Sequence, residues 1–496
     1  MATADYILSI DQGTTGTTVL VVDVNGQIVD RAYSELTQIY PRPGWVEHDP
    51  IEIWQITQKL IIQLTRPDRN FVGIGITNQR ETTVVWDRQT GQPVYNAVVW
   101  QCRRTANMCS QLKSDGHEEW VRQKTGLVVD PYFSATKIAW ILDQVDVNRQ
   151  RAHQGQLAFG TIDTWLLWKL TGGLVHATDE TNASRSLLFD IDQLEWSSDL
   201  LDLFQIPLPM LPEVYPSRCH FGRTKGVVGL PDQVPIAGIA GDQQSALFGQ
   251  LCTQAGSIKN TYGTGCFLLM QTGNQRMTSS SGLLTTLACS TSDQKSYALE
   301  GSIFIAGAAI QWLRDELQII ETAQETEQIA KSIKDTGGVY VVPAFTGLGT
   351  PYWRSSARGA IVNLTRGTGR AEIVRATLES IAYQTVDVVQ TMELEANLSF
   401  ECLKVDGGAV NNNFLMQFQA DLLDRPVERP QQIETTALGA AYLAGLTVGV
   451  WSDMTELEKY RKVNQVFTPS MSTSIRQEKL AGWKTAVDQV IEGAVN

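Results

Sequence analysis

Residues 6–22 read Tyr-Ile-Leu-Ser-Ile-Asp-Gln-Gly-Thr-Thr-Gly-Thr-Thr-Val-Leu-Val-Val, which is two apolar strands joined by a turn of glycines and threonines. Gly13 and Gly16 have no side chain that would hold a ligand away from the backbone, and the threonines offer hydroxyl and N–H donors to an anion. Asp11 adds a hard oxygen suited to Mg²⁺ or its waters. The stretch predicts a β-hairpin whose turn is either a phosphate-binding loop or an ordinary Thr/Gly-rich turn.

A second stretch repeats this pattern in the other half of the chain. Residues 257–270 form two strand-like segments around the turn Tyr262-Gly-Thr-Gly265. Between the two hairpins, strands such as 72–76 alternate with helical stretches such as 50–64, which is typical of an α/β fold. Because 496 residues exceed what one core usually holds, we predict two domains, residues 1–250 and 251–496.

The second half contains further regular elements. We predict helices at 304–317 and 371–392, and a strand at 402–405 that passes through Gly407 and Gly408 into a helix at 414–423. A strand that delivers a Gly-Gly turn to a helix can bind an anion or a nucleotide, although such turns are also common structural punctuation. The apolar run 437–451 is short for a bilayer span and rich in small residues, so we predict a buried, closely packed helix.

The composition restricts the class of partner. The formal charge is −13, with 40 basic and 53 acidic residues, and no basic cluster exceeds a pair such as Arg103-Arg104. We therefore expect neither nucleic acid nor a membrane surface as a partner. Seven scattered cysteines without a C-x-x-C pair, and acidic residues where a signal peptide would be apolar, favour a soluble cytoplasmic protein. The five dispersed histidines are expected at the surface or hydrogen-bonded in the core.

Three further motifs have side chains suited to catalysis or binding. Asp242 ends a strand of small residues and precedes a helix, where it can accept a proton from an attacking hydroxyl or serve as a helix N-cap. Arg80 and Glu81 follow the strand at 72–76 and offer a donor and an acceptor to a neutral polyol, or form a solvated ion pair. Trp100 and Tyr132 supply aromatic surface to a site or to the core.

In order and spacing, these motifs resemble the FGGY carbohydrate kinases over essentially the whole chain. The resemblance rests on the following segments: Asp11-Gln-Gly-Thr-Thr15, Asn78-Gln-Arg-Glu81, Trp100, 132–140, Gly241-Asp-Gln-Gln244, Tyr262-Gly-Thr-Gly265, 347–353 and Asp406-Gly-Gly-Ala409. Within the family, residues 43–50, 77–83, 99–104, 130–134 and 340–349 resemble the members that phosphorylate glycerol.

The resemblance implies both a fold and an activity. The fold would be α/β, with two ribonuclease H-like domains, as in actin and the heat-shock chaperone ATPases, flanking a catalytic cleft. The N-terminal domain would bind glycerol and the C-terminal domain the nucleotide. The activity would be ATP-dependent phosphorylation of glycerol to sn-glycerol 3-phosphate in glycerol catabolism, by Mg²⁺-assisted in-line transfer. The resemblance also implies a homodimer or homotetramer.

It further implies roles for individual residues. Asp242 would be the general base. The glycerol site would comprise Arg80, Glu81, Trp100, Tyr132, Asp242, Gln243 and Phe267. The nucleotide site would comprise Thr14, Thr15, Gly16, Thr264, Gly307, Gln311, Gly408 and Asn412. Mg²⁺ would lie near Asp11 and Asp242.

The sequence departs from the family at several positions. Gly16-Thr17-Thr18 replaces the Ser-Ser-Arg of many bacterial members, which leaves the role of these residues in ATP binding open. Residues 229–233 lack the Gly-Thr-Arg that binds fructose 1,6-bisphosphate, and they lack the histidine that some relatives phosphorylate as a switch. Ile475 stands where a zinc-ligating Glu binds a sugar-transport regulator. We therefore expect neither the bisphosphate nor the regulator as a partner.

Two other functions remain open at the level of sequence. One is a sibling kinase that acts on another polyol or a ketose. The other is an actin- or chaperone-like ATPase without a small-molecule acceptor.

Overall fold

The computed structural model describes residues 4–290, 294–354 and 356–494. Its strands are β1 Ala4–Gln12, β2 Gly16–Asp23, β3 Ile28–Glu35, β4 Glu47–His48, β5 Arg69–Asn78, β6 Val84–Asp87, β7 Ala97–Val98, β8 Leu157–Gly160, β9 Ala177–Asp179, β10 Phe189–Asp190, β11 Glu195–Trp196, β12 Glu213–Tyr215, β13 Gly222–Arg223, β14 Pro235–Gly241, β15 Ile258–Tyr262, β16 Cys266–Gly273, β17 Leu284–Leu287, β18 Tyr297–Ile303, β19 Tyr340–Val342, β20 Ala360–Val362, β21 Leu403–Asp406, β22 Val427–Pro430 and β23 Val463–Phe467.

The helices alternate with these strands. They are α1 Pro50–Leu64, α2 Ala106–Ser114, α3 Glu118–Thr125, α4 Ser134–Val145, α5 Gln150–His153, α6 Ile162–Leu170, α7 Glu180–Ala183, α8 Ser198–Phe204, α9 Asp242–Gly249, α10 Gly307–Asp315, α11 Glu325–Lys331, α12 Arg370–Ala396, α13 Asn413–Leu423, α14 Thr435–Val448, α15 Met454–Tyr460 and α16 Thr473–Glu492, with 3-10 turns at Leu208–Met210 and Gly408–Asn411. Among the described residues, no helix has both the length and the apolar character that crossing a bilayer requires.

The chain folds into two compact units. Unit 1 contains the residues up to Leu251 together with Thr285–Tyr297 and Thr435–Arg461; unit 2 contains Cys252–Leu284, Ala298–Glu434 and the residues from Lys462 onward. The predicted break near residue 250 coincides with the end of the first long segment of unit 1. Two later segments also belong to unit 1, so the packing differs from a single division of the chain at that point.

Unit 1 is built around the predicted hairpin. Strands β1 and β2 pair antiparallel, with Ile10 opposite Val19 and Asp11 opposite Thr18. Strand β1 also pairs in parallel with β5, which pairs in parallel with β14, and the full order is β13-β14-β5-β1-β2-β3. The carboxyl ends of β1, β5 and β14 therefore meet at one edge of the sheet. Asp11, Arg80 and Asp242 lie at or just beyond those three ends.

Helices cover both faces of this sheet. Leu8 and Ile10 pack on one face with residues of α1 and α6, whereas Ile7 packs on the other face with residues of α14. Helix α14 is buried along most of its length, and the Ser9 hydroxyl donates to the carbonyl of Ala437 at 2.6 Å. The predicted buried helix at 437–451 is thus confirmed over most of its range.

Unit 2 contains the second predicted hairpin. Strands β15 and β16 pair antiparallel, and β15 pairs in parallel with β21, which repeats the β2-β1-β5 arrangement of unit 1. The sheet continues through β22 to β23. Helix α13 begins at Asn413 after a 3-10 turn at Gly408–Asn411, so the Gly-Gly segment does not enter the helix directly. The predicted α/β class with two sheet-containing domains is confirmed.

Candidate active site

Gly13, Thr14 and Thr15 form the hairpin turn at the carboxyl end of β1. The Gly13 amide donates to the Gly16 carbonyl at 2.9 Å, which closes the turn, and Thr15 is exposed. Gly16 itself is buried, and a Cβ there would lie 2.5 Å from the Ser34 carbonyl of β3. Strand packing therefore requires a glycine at position 16, independently of any contact with a nucleotide.

A buried polar chain supports this turn from below. Nε2 of Gln79 donates to Oε1 of Gln12 at 3.0 Å and to the Gly13 carbonyl at 3.2 Å. Gln79 also bonds Nδ1 of His48 at 3.3 Å, and Nε2 of His48 bonds Oε1 of Gln38 at 3.0 Å. Gln38 in turn donates to the Thr14 carbonyl at 2.9 Å. His48 is thus the hydrogen-bonded core histidine that the sequence allowed, and it links the two sides of the turn.

This network makes stability depend on pH. Burial lowers the pKa of His48 to about 4, so the folded protein keeps the ring neutral with Nδ1 accepting from Gln79. The unfolded chain takes up a proton near pH 6.5 and therefore binds more protons between about pH 6.5 and 4, so stability falls as the pH falls through this window. The free energy of unfolding should fall between pH 7 and pH 5 in both proteins. We expect this fall to be about 2 kcal/mol smaller in His48→Gln than in wild type. Urea titrations at both pH values measure it.

A matched variant serves as the control. His220 is exposed, and His220→Gln should keep the wild-type difference between pH 7 and pH 5. A His48→Gln variant with the full wild-type loss would contradict the prediction.

Arg80 lies just after β5 and is 2% exposed. Its Nε is 3.1 Å from Oδ1 of Asp242, its Nη1 donates to Oε1 of Gln244 at 3.2 Å, and its Nη2 donates to the Tyr132 hydroxyl at 3.4 Å. A Cβ on Gly241 would lie 2.7 Å from Cγ of Arg80, so the glycine lets the arginine stem pass beside β14. Arg80 thereby joins the ends of three separated segments.

Glu81 is 1% exposed and has a left-handed backbone, with φ of 60°. Its Oε1 is 3.8 Å from Nε of Arg80 but accepts a hydrogen bond from Nε of Arg185 at 2.6 Å. Arg80 and Glu81 are therefore not a solvated ion pair. Each is buried and paired with a different partner, which gives the site a fixed donor and a fixed acceptor.

Two aromatic side chains border these groups. The rings of Trp100 and Tyr132 are 5.4 Å apart and tilted at 60°, and both residues are partly exposed. The Trp100 indole N–H donates to the Thr14 hydroxyl at 2.8 Å. The Trp100 and Tyr132 pair is thereby connected to the hairpin turn, and neither ring is an ordinary core side chain.

Asp242 is the first residue of α9, and 27% of its side chain is exposed. Gly241 occupies the N-cap position, and Oδ1 of Asp242 accepts from the neighbouring Gln243 amide at 2.7 Å. The N-cap alternative therefore does not apply. A carboxylate that is held by Arg80 and still reaches solvent is suited to accept a proton from a bound hydroxyl.

The two candidate magnesium ligands lie on different strands. Asp11 pairs with Thr77 of β5, and Thr77 pairs with Ala240 of β14, so the backbones of Asp11 and Ala240 lie two strands apart, about 10 Å at normal strand spacing. Asp242 follows Ala240 by two residues, at the start of α9. In the part of the chain that the structure describes, no three His, Cys, Asp or Glu side chains cluster as a metal site. One or two carboxylates, completed by water and phosphate oxygens, are nevertheless the usual protein share of a Mg²⁺ site, so these residues fit the ion.

Unit 2 contains a cavity of about 370 Å³. It lies between the β15–β16 turn, the start of α10, and the 3-10 turn before α13. Its lining includes all five residues predicted for the nucleotide in this half of the chain, which are Thr264, Gly307, Gln311, Gly408 and Asn412. The volume lies within the range typical of small-ligand sites.

Backbone contacts shape this cavity. The Gly307 amide donates to the Gly263 carbonyl at 3.0 Å, and a Cβ at Gly307 would lie 2.6 Å from that oxygen. Oδ1 of Asn412 caps α13 by accepting from the Leu415 amide at 3.0 Å. The β15–β16 turn and the N-terminus of α10 are thus held against each other as one wall.

Some of the predicted site residues are not brought together within one unit. Phe267 lies on β16 of unit 2, whereas the other residues predicted for glycerol lie in unit 1. No sequence pattern predicted a role for Gln244, which bonds Arg80, or for Arg185, which bonds Glu81. Lys137 and Ser134 also had no predicted role: Lys137 donates to three backbone carbonyls around Tyr132, and Ser134 donates to the Glu81 carbonyl. Only the polarity of these buried positions could have pointed to them.

Two sheets, each centred on a hairpin paired in parallel with a third strand, define the ribonuclease H-like class that includes the actin-type ATPases. The N-terminal domain model of the FGGY family of carbohydrate kinases matches residues 6–249, and the C-terminal domain model matches residues 258–448. The chain belongs to the FGGY family of carbohydrate kinases.

Individual relatives cover nearly the whole chain. It is 57% identical to glycerol kinase 2 of Thermotoga maritima, over 98% of both chains, and 56% identical to a glycerol kinase of Klebsiella pneumoniae, over 99% of this chain and 98% of the relative. The solved structure of Plasmodium falciparum glycerol kinase with ADP superposes with a TM-score of 0.93 at 38% identity, over 99% of both chains. A xylulose kinase of Lactobacillus acidophilus, at 22% identity and a TM-score of 0.88, shares the fold.

Proposed function

We propose that this protein transfers the γ-phosphoryl group of ATP to glycerol and forms sn-glycerol 3-phosphate and ADP. The observation that carries the proposal is the buried Arg80, which holds the Asp242 carboxylate at 3.1 Å while bonding Tyr132. Arg80, Tyr132 and Asp242 thus offer a small neutral polyol a donor, an acceptor and a base within one group of contacting side chains. The full-length relatives that are named glycerol kinases support the choice of glycerol.

Asp242 acts as the general base in the proposed mechanism. Its carboxylate takes the proton of the glycerol hydroxyl as the hydroxyl oxygen forms a bond to the γ-phosphorus. The bond from that phosphorus to the bridging oxygen breaks, and ADP leaves. Arg80 and Glu81 orient the other hydroxyls, Gln243 lies beside the base, and the rings of Trp100 and Tyr132 border the carbon chain. The contact of glycerol with Phe267 of unit 2 stays a prediction.

Positioning and charge neutralisation supply most of the catalysis in such transfers. Thr14 and Thr15 offer hydroxyl and amide donors to the moving phosphoryl group at the end of β1. Mg²⁺, held through Asp11 and Asp242, would neutralise phosphate charge when bound.

The proposed nucleotide site is the cavity of unit 2. Thr264, Gly307, Gln311, Gly408 and Asn412 line it with small residues, amides and a hydroxyl, which suit a ribose and a base. The ADP-bound relative of the same fold supports ATP as the phosphoryl donor. The cytoplasmic location, the homodimer or homotetramer, and the lack of the bisphosphate and the sugar-transport regulator as partners stay predictions.

An acceptor panel tests the substrate. Glycerol, xylulose, ribulose and longer polyols are compared by ADP release with ATP and Mg²⁺, with and without fructose 1,6-bisphosphate. We expect glycerol to give the highest kcat/KM, with no change when the bisphosphate is added. A ketose turned over well above glycerol would favour the sibling kinase, and ATP hydrolysis that no acceptor stimulates would favour the ATPase.

Gly408 offers a separate test of the nucleotide site. Gly408 lines the cavity, and a Cβ at this position meets no atom within 4 Å, so the packing leaves room for a larger side chain there. We expect Gly408→Leu to raise the KM for ATP at least tenfold, about 1.4 kcal/mol, and to leave the KM for glycerol within twofold. Steady-state kinetics with each substrate varied in turn measure both. Unchanged ATP kinetics would move the nucleotide site elsewhere.

A further inference from the structure

Three fully buried polar side chains lie behind the groups that would hold the acceptor. They are Ser134, Lys137 and Arg185, each 0% exposed. They donate hydrogen bonds to Glu81 and to the turn of residues 131–133. Burying two cations is unfavourable unless their protons are well satisfied, so these contacts need an explanation.

Arg185 holds the acidic half of the site. Its Nε donates to Oε1 of Glu81 at 2.6 Å, with side-chain exposures of 0% and 1%. The guanidinium carbon also lies 5.6 Å from the centre of the Tyr132 ring and 5.3 Å from that of Phe133, within cation–π range. Arg185 therefore orients the Glu81 carboxylate and also contacts the Tyr132 ring. Glu81 and Tyr132 are both residues of the proposed acceptor site.

Lys137 fixes the backbone that carries the phenol. Its Nζ donates to the carbonyls of Pro131 at 3.0 Å, Tyr132 at 2.5 Å and Phe133 at 2.8 Å. An ammonium group has three protons, and three consecutive carbonyls accept them. Since burial lowers the pKa of Lys137 to about 8, the group is mostly charged at neutral pH. Lys137 therefore restrains three consecutive carbonyls of this turn, which Asp130 also holds by accepting from the amides of Tyr132 and Phe133.

Ser134 connects the turn that carries Tyr132 to the backbone of Glu81. It is the first residue of α4, directly after the turn, and its hydroxyl donates to the Glu81 carbonyl at 3.0 Å. Glu81 has the left-handed backbone, which a non-glycine residue keeps only when its surroundings hold it. The serine supplies one such restraint from the segment that also carries Tyr132.

We propose that Ser134, Lys137 and Arg185 are positioning residues that fix Glu81 and Tyr132 for the acceptor, and that they set the affinity for the polyol without contacting the nucleotide. The inference rests on the proposed function, because it takes glycerol as the acceptor. It adds that acceptor affinity depends on buried cations behind the site as well as on the side chains that face the polyol.

Arg185→Lys tests the proposal, with Arg104→Lys as a matched control. Arg104 also forms a buried pair in unit 1, with Nη2 2.6 Å from Oε1 of Glu47 and side-chain exposures of 0% and 3%. Both variants keep a positive charge and lose the guanidinium geometry. We expect Arg185→Lys to raise the KM for glycerol at least tenfold, with the KM for ATP within twofold. Arg104→Lys should change neither KM by more than twofold.

Lys137→Met is the second variant and decides the outcome if Arg185→Lys does not fold. It should also raise the KM for glycerol while the KM for ATP stays within twofold. Its thermal unfolding midpoint and its nucleotide binding are measured as well, to show that the variant is folded. An unchanged KM for glycerol, equal rises in both KM values, or the same glycerol defect in Arg104→Lys would overturn the proposal. A wild-type chain inactive on glycerol would instead contradict the proposed function, and the same comparison would then use the acceptor that the panel identifies.

Discussion

Replacing Asp242 by asparagine is expected to lower kcat by about 10²- to 10⁴-fold, the contribution typical of a positioned general base. Asparagine has nearly the same shape and can still occupy the first position of α9, but it cannot accept the hydroxyl proton. Binding of ADP without Mg²⁺ should stay close to wild type, because the proposed nucleotide cavity is formed by unit 2 residues. Single-turnover kinetics with saturating ATP and glycerol isolate the chemical step.

The substitution also removes the negative charge beside Arg80, and a control separates this effect from loss of the base. Gln244→Met removes the 3.2 Å hydrogen bond to Nη1 of Arg80 and leaves Asp242 in place. This variant should raise the KM for glycerol while kcat falls by less than tenfold. If Asp242→Asn keeps the wild-type kcat, the base is another group. If Gln244→Met loses as much kcat as Asp242→Asn, Arg80 orientation explains the loss.

Local patterns in the sequence were sufficient to predict the parts of the fold that depend on neighbouring residues. The hairpin at residues 6–22, helix α1 and helix α12 each follow from a strand or helix period with turn signals at the ends. The two Gly/Thr turns were predicted as ligand-binding segments for the same reason. Glycine at a tight turn is a local requirement that a single sequence displays.

Contacts between distant segments could not be predicted in this way. Arg185 pairs with a residue 104 positions away, and no periodicity relates the two. The return of residues 435–461 to unit 1 is also a packing result, because α14 lies on the sheet that begins at residue 4. The buried polar groups that orient a site come from such contacts, so their residue types are visible in the sequence while their partners are not.

Gly439→Ala is expected to lower the free energy of unfolding of unit 1 by about 3 kcal/mol or more, at the upper end of overpacking effects. A Cβ at Gly439 would lie 1.9 Å from the Ser245 carbonyl of α9. On the facing helix, a Cβ at Gly249 would lie 2.1 Å from the Thr435 carbonyl. Both obstacles are backbone atoms, which no rotamer change can move, so α9 and α14 must separate.

Since Asp242 begins α9, this separation should also reduce activity. Hydrogen exchange measured by mass spectrometry should be faster than in wild type in α9 and α14. The sheet of unit 2, where β15 pairs with β21, should exchange as in wild type. Gly408→Ala is the matched control for stability and hydrogen exchange, because its Cβ meets nothing within 4 Å and the fold should tolerate it. A Gly439→Ala protein within about 1 kcal/mol of wild type would show that the two helices can shift without loss of packing. The contact of small residues would then not be what fixes α9, and with it Asp242, against the sheet.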